Sequence, residues 1–422
     1  MGVLMPRTSG TRALQRVFGV LAATGVCLTA APAGSASASD KPDKPDFGLT
    51  SSSECVFGGG NIKPAPWSLQ RILLDQMRGE STGKDVTVAV IDTGVDNTNK
   101  QLSSAIAPGG KDFVGNTKGT TDTEGHGTRV AGIIAARPVS GSGFAGIAPE
   151  AKILPIRYTG GEDEKKPGSS ATMSAAIDYA VKQHASIINI SSDTVGRQDN
   201  AALRAAVDRA VASGALIVAA AGNEGADGKS ADTYPAAYEG VLAVAASDRN
   251  DERAFFSQSG KFVDVAAPGV GMISTVPKGG QCTADGTSFA APYVAGVAAL
   301  LKSKHPGWSA AQITTRIEES AKRTGRDRNQ YLGWGVVDPI AALADDSDPK
   351  TRATADPKPD IVAGHVVPMA VTMGESEAER DQRTAMYVMG GSLVLVLVVA
   401  GSGVVVRDWR RKQTRAAGTG SL

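Results

Sequence analysis

Val86-Thr87-Val88-Ala89-Val90-Ile91 runs without a break into Asp92-Thr93-Gly94. The run holds no charge and no polar alternation. A strand with one wet face alternates apolar with polar residues, whereas a strand covered on both faces of a parallel sheet reads as continuous apolar sequence. The same texture returns in Ile187-Ile188-Asn189-Ile190, in Leu216-Ile217-Val218-Ala219-Ala220 and in Val241-Leu242-Ala243-Val244-Ala245. Between these runs the spacing predicts helices over Met173–Gln183 and Ala201–Ser213. Strands alternating with helices imply an α/β domain with a doubly wound, mostly parallel sheet, here spanning residues 67–344.

Asp92 closes the first run, and the carboxyl end of a parallel strand is where such folds assemble their sites. Ser288 stands in Gly286-Thr287-Ser288-Phe289-Ala290-Ala291-Pro292, ahead of a segment to Lys304 that is apolar nearly all round and is predicted to be a buried helix. A hydroxyl at a helix mouth lies beside unpaired backbone N–H groups and the positive dipole end, a setting that suits an oxyanion. A serine nucleophile needs a base of near-neutral pKa. Of the four histidines, only His126 sits among close-packing small residues, in Gly125-His126-Gly127-Thr128-Arg129-Val130-Ala131-Gly132. Asn223 follows Ala219-Ala220-Ala221-Gly222 and can aim an amide N–H at developing negative charge. Taken singly, each residue has a plainer reading: Ser288 as a helix N-cap, His126 as a structural histidine, Asp92 and Asn223 as turn formers. Asp-Thr-Gly is also the mark of aspartic proteases, which need two such carboxylates sharing a proton, and the chain has no second copy.

Together, Asp92, His126, Asn223 and Ser288, in that order and each in its own flanking motif, resemble the subtilisin-like serine proteases over about Trp67 to Leu343. The resemblance implies a triad in which Asp92 orients His126, His126 takes the proton of Ser288, and Ser288 attacks a peptide carbonyl while Asn223 binds the oxyanion. It implies substrate pairing along Ser191, Ser192 and Asp193 on one side and Ala221 and Gly222 on the other, with protein or peptide substrates. Two departures stand out. Arg129 replaces a histidine usual in the family, and Ser191-Ser192-Asp193 replaces a common Leu-Gly-Gly, so Asp193 puts a carboxylate at the cleft rim and predicts a narrower, more selective pocket. The loop 137–144 carries no Asp or Asn, so no calcium site is expected there, and the reading calls for no metal or other cofactor.

The rest of the 422 residues concerns location. Arg7, Arg12 and Arg16 precede an apolar run from Val17 to Ala31 and the small-residue site Ala36-Ser37-Ala38, so residues 1–38 read as a secretory signal peptide. Ala385 to Val406 is uncharged and matches the about 20 residues that cross a bilayer. Arg407, Arg410, Arg411 and Lys412 follow, which places residues 407–422 in the cytoplasm and the rest outside a cell membrane. Residues 39–66 read as an extended arm and 345–384 as a flexible linker. Cys55 and Cys282 are the only thiols outside the signal peptide, and in an oxidising exterior a disulfide between them is expected. A net charge of +1 gives no electrostatic footprint for nucleic acid. This architecture resembles the mycosins, proteases of type VII secretion. That resemblance implies a secretion membrane complex as partner, with processing of a few secreted proteins, or alternatively a scaffolding role in which proteolysis is secondary.

Overall fold

The computed structural model describes residues 55–417 apart from 73, 161–167, 195–196, 351 and 358–373. Residues 1–38, expected to be a signal peptide, residues 39–54 of the arm and residues 358–373 of the expected linker therefore lie outside the described residues.

Among the described residues, after two short helices, α1 (Trp67–Gln70) and α2 (Leu74–Glu80), the chain alternates strand and helix: β1 (Thr87–Asp92), β2 (Lys111–Asp112), α3 (His126–Ala135), β3 (Lys152–Arg157), α4 (Ser170–Lys182), β4 (Ile187–Ile190), α5 (Ala201–Ala212), β5 (Leu216–Ala220), β6 (Val241–Ser247) and β7 (Val265–Pro268). A hairpin, β8 (Met272–Thr275) with β9 (Gln281–Ala284), leads into the long helix α6 (Thr287–Lys304), followed by α7 (Ala310–Ser320) and α8 (Pro339–Ala344). The seven strands form one parallel sheet in the order β2-β3-β1-β4-β5-β6-β7.

The strand β1 shows why its sequence does not alternate. Val88 and Val90 point into a core shared with α3 and α6, while Ala89 and Ile91 point into a second core with α4 and α5. Both faces are dry, so both parities must be apolar. The helices start where their caps lie. Ser169 and Thr172 form a capping box for α4, the Asn200 side chain accepts from two backbone N–H groups of α5, and Ser309 with Gln312 caps α7. The four strands expected from the sequence occur within two residues of their expected ends. The strand β3 was not expected, because Pro155 interrupts it; β2 pairs only with Ile156 and Arg157, so Pro155 stands where β3 is itself the sheet edge and proline is tolerated.

Residues 345–350 and 352–357, expected to be linker, pack on this unit instead. The guanidinium of Arg316 pairs with Asp345, Arg323 donates to the Thr354 carbonyl at 2.8 Å, and Ala353 is buried. Considered by itself, the second unit holds α9 (Glu377–Ala417), which is long and apolar enough to cross a membrane and contains the predicted span 385–406. Its apolar side chains, such as Leu395 at 65% exposure, face no protein partner among the described residues.

Candidate active site

Asp92 ends β1 and is fully buried. Its Oδ1 accepts from the Thr93 backbone N–H at 2.8 Å and lies 2.7 Å from Nδ1 of His126, the first residue of α3. Two glycines permit this approach. Gly125 holds a left-handed φ of +79° just before the histidine. A Cβ on Gly127 would stand 2.1 Å from the Gly94 carbonyl oxygen and 3.0 Å from Asp92 Cβ, so any larger residue would push α3 off the β1 turn.

A second carboxylate holds the turn and the helix together. Asp122 is buried, and its oxygens accept from Thr93 Oγ1 at 2.8 Å, Gly125 N at 2.8 Å, Glu124 N at 3.2 Å, Thr128 N at 2.8 Å and Thr128 Oγ1 at 2.6 Å. Thr93 Oγ1 in turn accepts from the Gly127 N–H at 2.9 Å. Burial pushes the Asp122 carboxyl above the usual carboxylate range, and the bonds from Thr128, Gly125 and Thr93 offset only part of that rise. No motif in the sequence marks Asp122. Its one signal was position, an acid four residues before the histidine, and a turn-rich stretch gives no hint which acid lies inside.

Ser288 is the second residue of α6 and is buried. The cap position belongs to Gly286, with no side-chain cap, so the Ser288 hydroxyl is not the N-cap of this helix. Before it, Thr287 knits the strand end to the helix mouth. Its Oγ1 accepts from Gly222 N at 3.1 Å, and its N–H and hydroxyl donate to Asn223 Oδ1 at 2.9 and 3.0 Å. Two donors on Oδ1 fix the orientation of the Asn223 amide.

The helices α3 and α6 bring their N-termini together. The His126 ring lies 5.3 Å, centroid to centroid, from the ring of Phe289, the neighbour of Ser288. Arg129, one turn along α3, is buried with its guanidinium 5.6 Å above the same Phe289 ring and its Nε donating to the Gly125 carbonyl at 3.2 Å. Burial pushes Arg129 below the usual arginine range, against the pull of Asp122, Asp92 and Glu124.

Ser191, Ser192, Asp193, Gly222, Asn223 and Ser288 line one narrow hollow at this sheet edge. Ser192 is held from behind by Tyr158, hydroxyl to hydroxyl at 2.5 Å. Ala220 borders the hollow, while the methyl of Ala221 packs into a small core with Ala245 and Ala266. Strand parity is the reason, since neighbouring residues face opposite sides. Cys55 and Cys282 form the expected disulfide, with Cα atoms 5.5 Å apart.

A profile of the subtilase family, peptidase S8, matches residues 83–335. Subtilisin E of Bacillus subtilis (strain 168) is 38% identical over 280 residues, covering 66% of this chain and 71% of its own length. Alkaline elastase YaB of Bacillus sp. (strain YaB) is 38% identical over 283 residues, covering 67% of this chain and 71% of its own length. Among solved structures, MycP1 from Mycobacterium smegmatis aligns with a TM-score of 0.61 at 32% identity, covering 75% of this chain and 93% of that one. MycP1 from the ESX-1 type VII secretion system aligns at 0.62 with 31% identity, covering 75% of this chain and all of that one. Matched through its whole sheet and at better than one residue in three to the subtilisins, the chain belongs to the subtilase family of serine endopeptidases.

Proposed function

We propose that the chain is a membrane-anchored extracellular endopeptidase whose triad is Asp92, His126 and Ser288. The 2.7 Å bond between Asp92 Oδ1 and His126 Nδ1, beside the mouth of the helix that carries Ser288, is the observation that carries this reading. With Nδ1–H given to Asp92, His126 presents Nε2 as the base. Ser288 Oγ attacks the substrate carbonyl as its proton passes to Nε2. The tetrahedral oxyanion is met by the Asn223 amide N–H and the Ser288 backbone N–H, which costs no reorganisation because Thr287 already fixes Asn223. The imidazolium returns the proton to the leaving amine, and water, deprotonated by the same nitrogen, releases the acyl group and restores Ser288. Asp92 stays ionised throughout and stabilises the imidazolium.

Substrate binds beside Ser191, Ser192 and Asp193, where the Asp193 carboxylate narrows the range of accepted side chains. Residues 1–38 act as signal peptide, 39–66 as arm, and α9 holds the enzyme in the bilayer through Ala385 to Val406 with its basic end in the cytoplasm. The likeness to MycP1 structures, one of them from a type VII secretion system, supports processing of a few proteins handled by a similar secretion complex.

A biotinylated fluorophosphonate too polar to enter cells tests catalysis and topology at once. Applied to intact cells, it labels the wild type in the membrane fraction and leaves Ser288→Ala unlabelled. Equal labelling of both forms would remove Ser288 as nucleophile, and labelling only after lysis would overturn the outside placement.

A further inference from the structure

We propose that Phe57, in the arm before the catalytic domain, is a positioning residue for His126. The inference rests on the triad assigned above.

The arm is bound along the β8–β9 hairpin. Cys55 is bonded to Cys282, Gly58 N donates to the Pro277 and Gly279 carbonyls at 3.1 and 2.9 Å, and Ile62 N donates to Gln281 Oε1 at 2.8 Å. Val56 is exposed at 61%, whereas Phe57, in the tight turn closed by Gly59 N on the Val56 carbonyl at 3.2 Å, is half-buried. Its ring lies against Gly125. A Cβ on Gly125 would be 2.6 Å from Phe57 Cζ and 3.0 Å from Pro277 Cδ, so the phenyl ring stands where a side chain of residue 125 would project.

Gly125 is the residue on which His126 turns. Its φ of +79° belongs to a residue with few steric limits of its own, and a glycine left open there has several backbone states within reach. Three contacts remove that freedom. Asp122 accepts from its N–H, Arg129 donates to its carbonyl from both backbone N–H and Nε, and Phe57 with Pro277 closes the face that lacks a Cβ. The first two sit on the polar groups of the peptide. The third packs against the α-carbon itself, and the Phe57 ring makes its closest contacts. Removing it frees His126 to leave the line between Asp92 and Ser288, and a misplacement of about 1 Å costs up to about 100-fold in rate.

The experiment uses the full chain and the fluorophosphonate probe, with Phe57→Ala and Phe57→Leu. The expected result is a fall of about 10- to 100-fold in the maximal labelling rate of Phe57→Ala, with the probe concentration for half-maximal rate unchanged. Phe57→Leu, shorter but still apolar, falls between. The downfield proton resonance of His126 Nδ1–H, sharp in the wild type, broadens in the same order, a change that loss of global stability alone does not produce in a folded sample. Should Phe57→Ala fail to fold, the leucine variant decides: an intermediate rate supports the proposal and a wild-type rate overturns it. A folded alanine variant that labels at the wild-type rate, or one in which only the half-maximal concentration rises, overturns it as well, the latter making Phe57 part of a substrate subsite. Absence of labelling in the wild type would instead sink the triad assignment.

Discussion

Replacing Asp122 by asparagine tests how the triad is held, without touching a reacting group. The five hydrogen bonds at Asp122 are all ones it accepts, the pattern of an ionised carboxylate. Asparagine keeps one acceptor oxygen. The better orientation leaves that oxygen at Oδ1, facing Gly125 N, Glu124 N and Thr93 Oγ1, and turns the NH2 towards Thr128. There the Thr128 hydroxyl can rotate to accept, but it already accepts from Asp96 N at 3.0 Å, and the Thr128 backbone N–H now faces another donor. An orphaned buried N–H costs about 1–3 kcal/mol, and converting charge-assisted bonds to neutral ones costs about 1 kcal/mol more in sum, after the relief of burying one charge fewer. The net is about 2–4 kcal/mol. For a domain of this size that lowers Tm by roughly 3–7 °C.

The kinetic effect follows from the geometry. Thr93 passes the hold of Asp122 to Gly127 N, and Gly125 takes it directly, so both neighbours of His126 keep only a weaker, neutral anchor while Thr128, in the first turn of α3, loses its own. The expected fall in kcat is about 10- to 100-fold, measured on any cleaved peptide beside a thermal unfolding curve. Asp122→Asn melting at the wild-type temperature and turning over at the wild-type rate would refute the view that this carboxylate builds the site.

Two further tests concern stability. Glu318 is buried, and burial together with the neighbouring Asp264 pushes its carboxyl up to about 8 from an ordinary 4.5. Below pH 4.5 both folded and unfolded chains hold the proton; between 4.5 and 8 only the folded chain does, so stability falls as pH rises through that window by a few kcal/mol (about 1.4 per unit). Glu318→Gln should flatten this slope in urea titrations at pH 5 and pH 9 and be the more stable form at pH 9; an unchanged slope would mean the carboxyl ionises freely. Cys282→Ser opens a loop of 227 residues and should cost up to about 5 kcal/mol, with reductant lowering the Tm of wild type and not of the variant. A wild-type Tm indifferent to reductant would count against the bridge as a stabiliser.

The parts of this molecule legible in advance were those whose signal is local. Ile187–Ile190 and Leu216–Ala220 announce dry strands because both faces are covered, and covering both faces leaves a nearly continuous apolar run, interrupted here only by the buried Asn189. Asp92, His126 and Ser288, the residues proposed as the triad, stand out in the sequence because glycines at 94, 125, 127 and 286 mark special backbone beside them. The strand β2 was not legible: two residues that pair only with Ile156 and Arg157 carry no period. The side on which Ala220 and Ala221 fall depends on where β5 meets its neighbours, and alanine looks the same on either face.

Asp122 and Phe57 were illegible for a deeper reason. Each acts on His126 through backbone, and a residue that positions a peptide group need share no motif with it. Phe57 lies 68 positions before Gly125, in a stretch whose glycines and prolines read as open chain, and only the hairpin under it, latched at Cys282, makes it part of the wall. Charge behaves the same way. A sum of +1 describes a nearly neutral chain, yet Asp92, Asp122, Arg129, Arg157 and Glu318 are all buried. Placing charge in the interior demands partners with fixed geometry, and such partners can come from any distance along the sequence: Arg157 pairs with Asp112 at 3.3 Å, and Arg129 rests on a ring 160 residues away. Composition counts charges, whereas the site is made by which of them lost their water. Motifs therefore point to the groups proposed to react, and only the fold points to the groups that aim them.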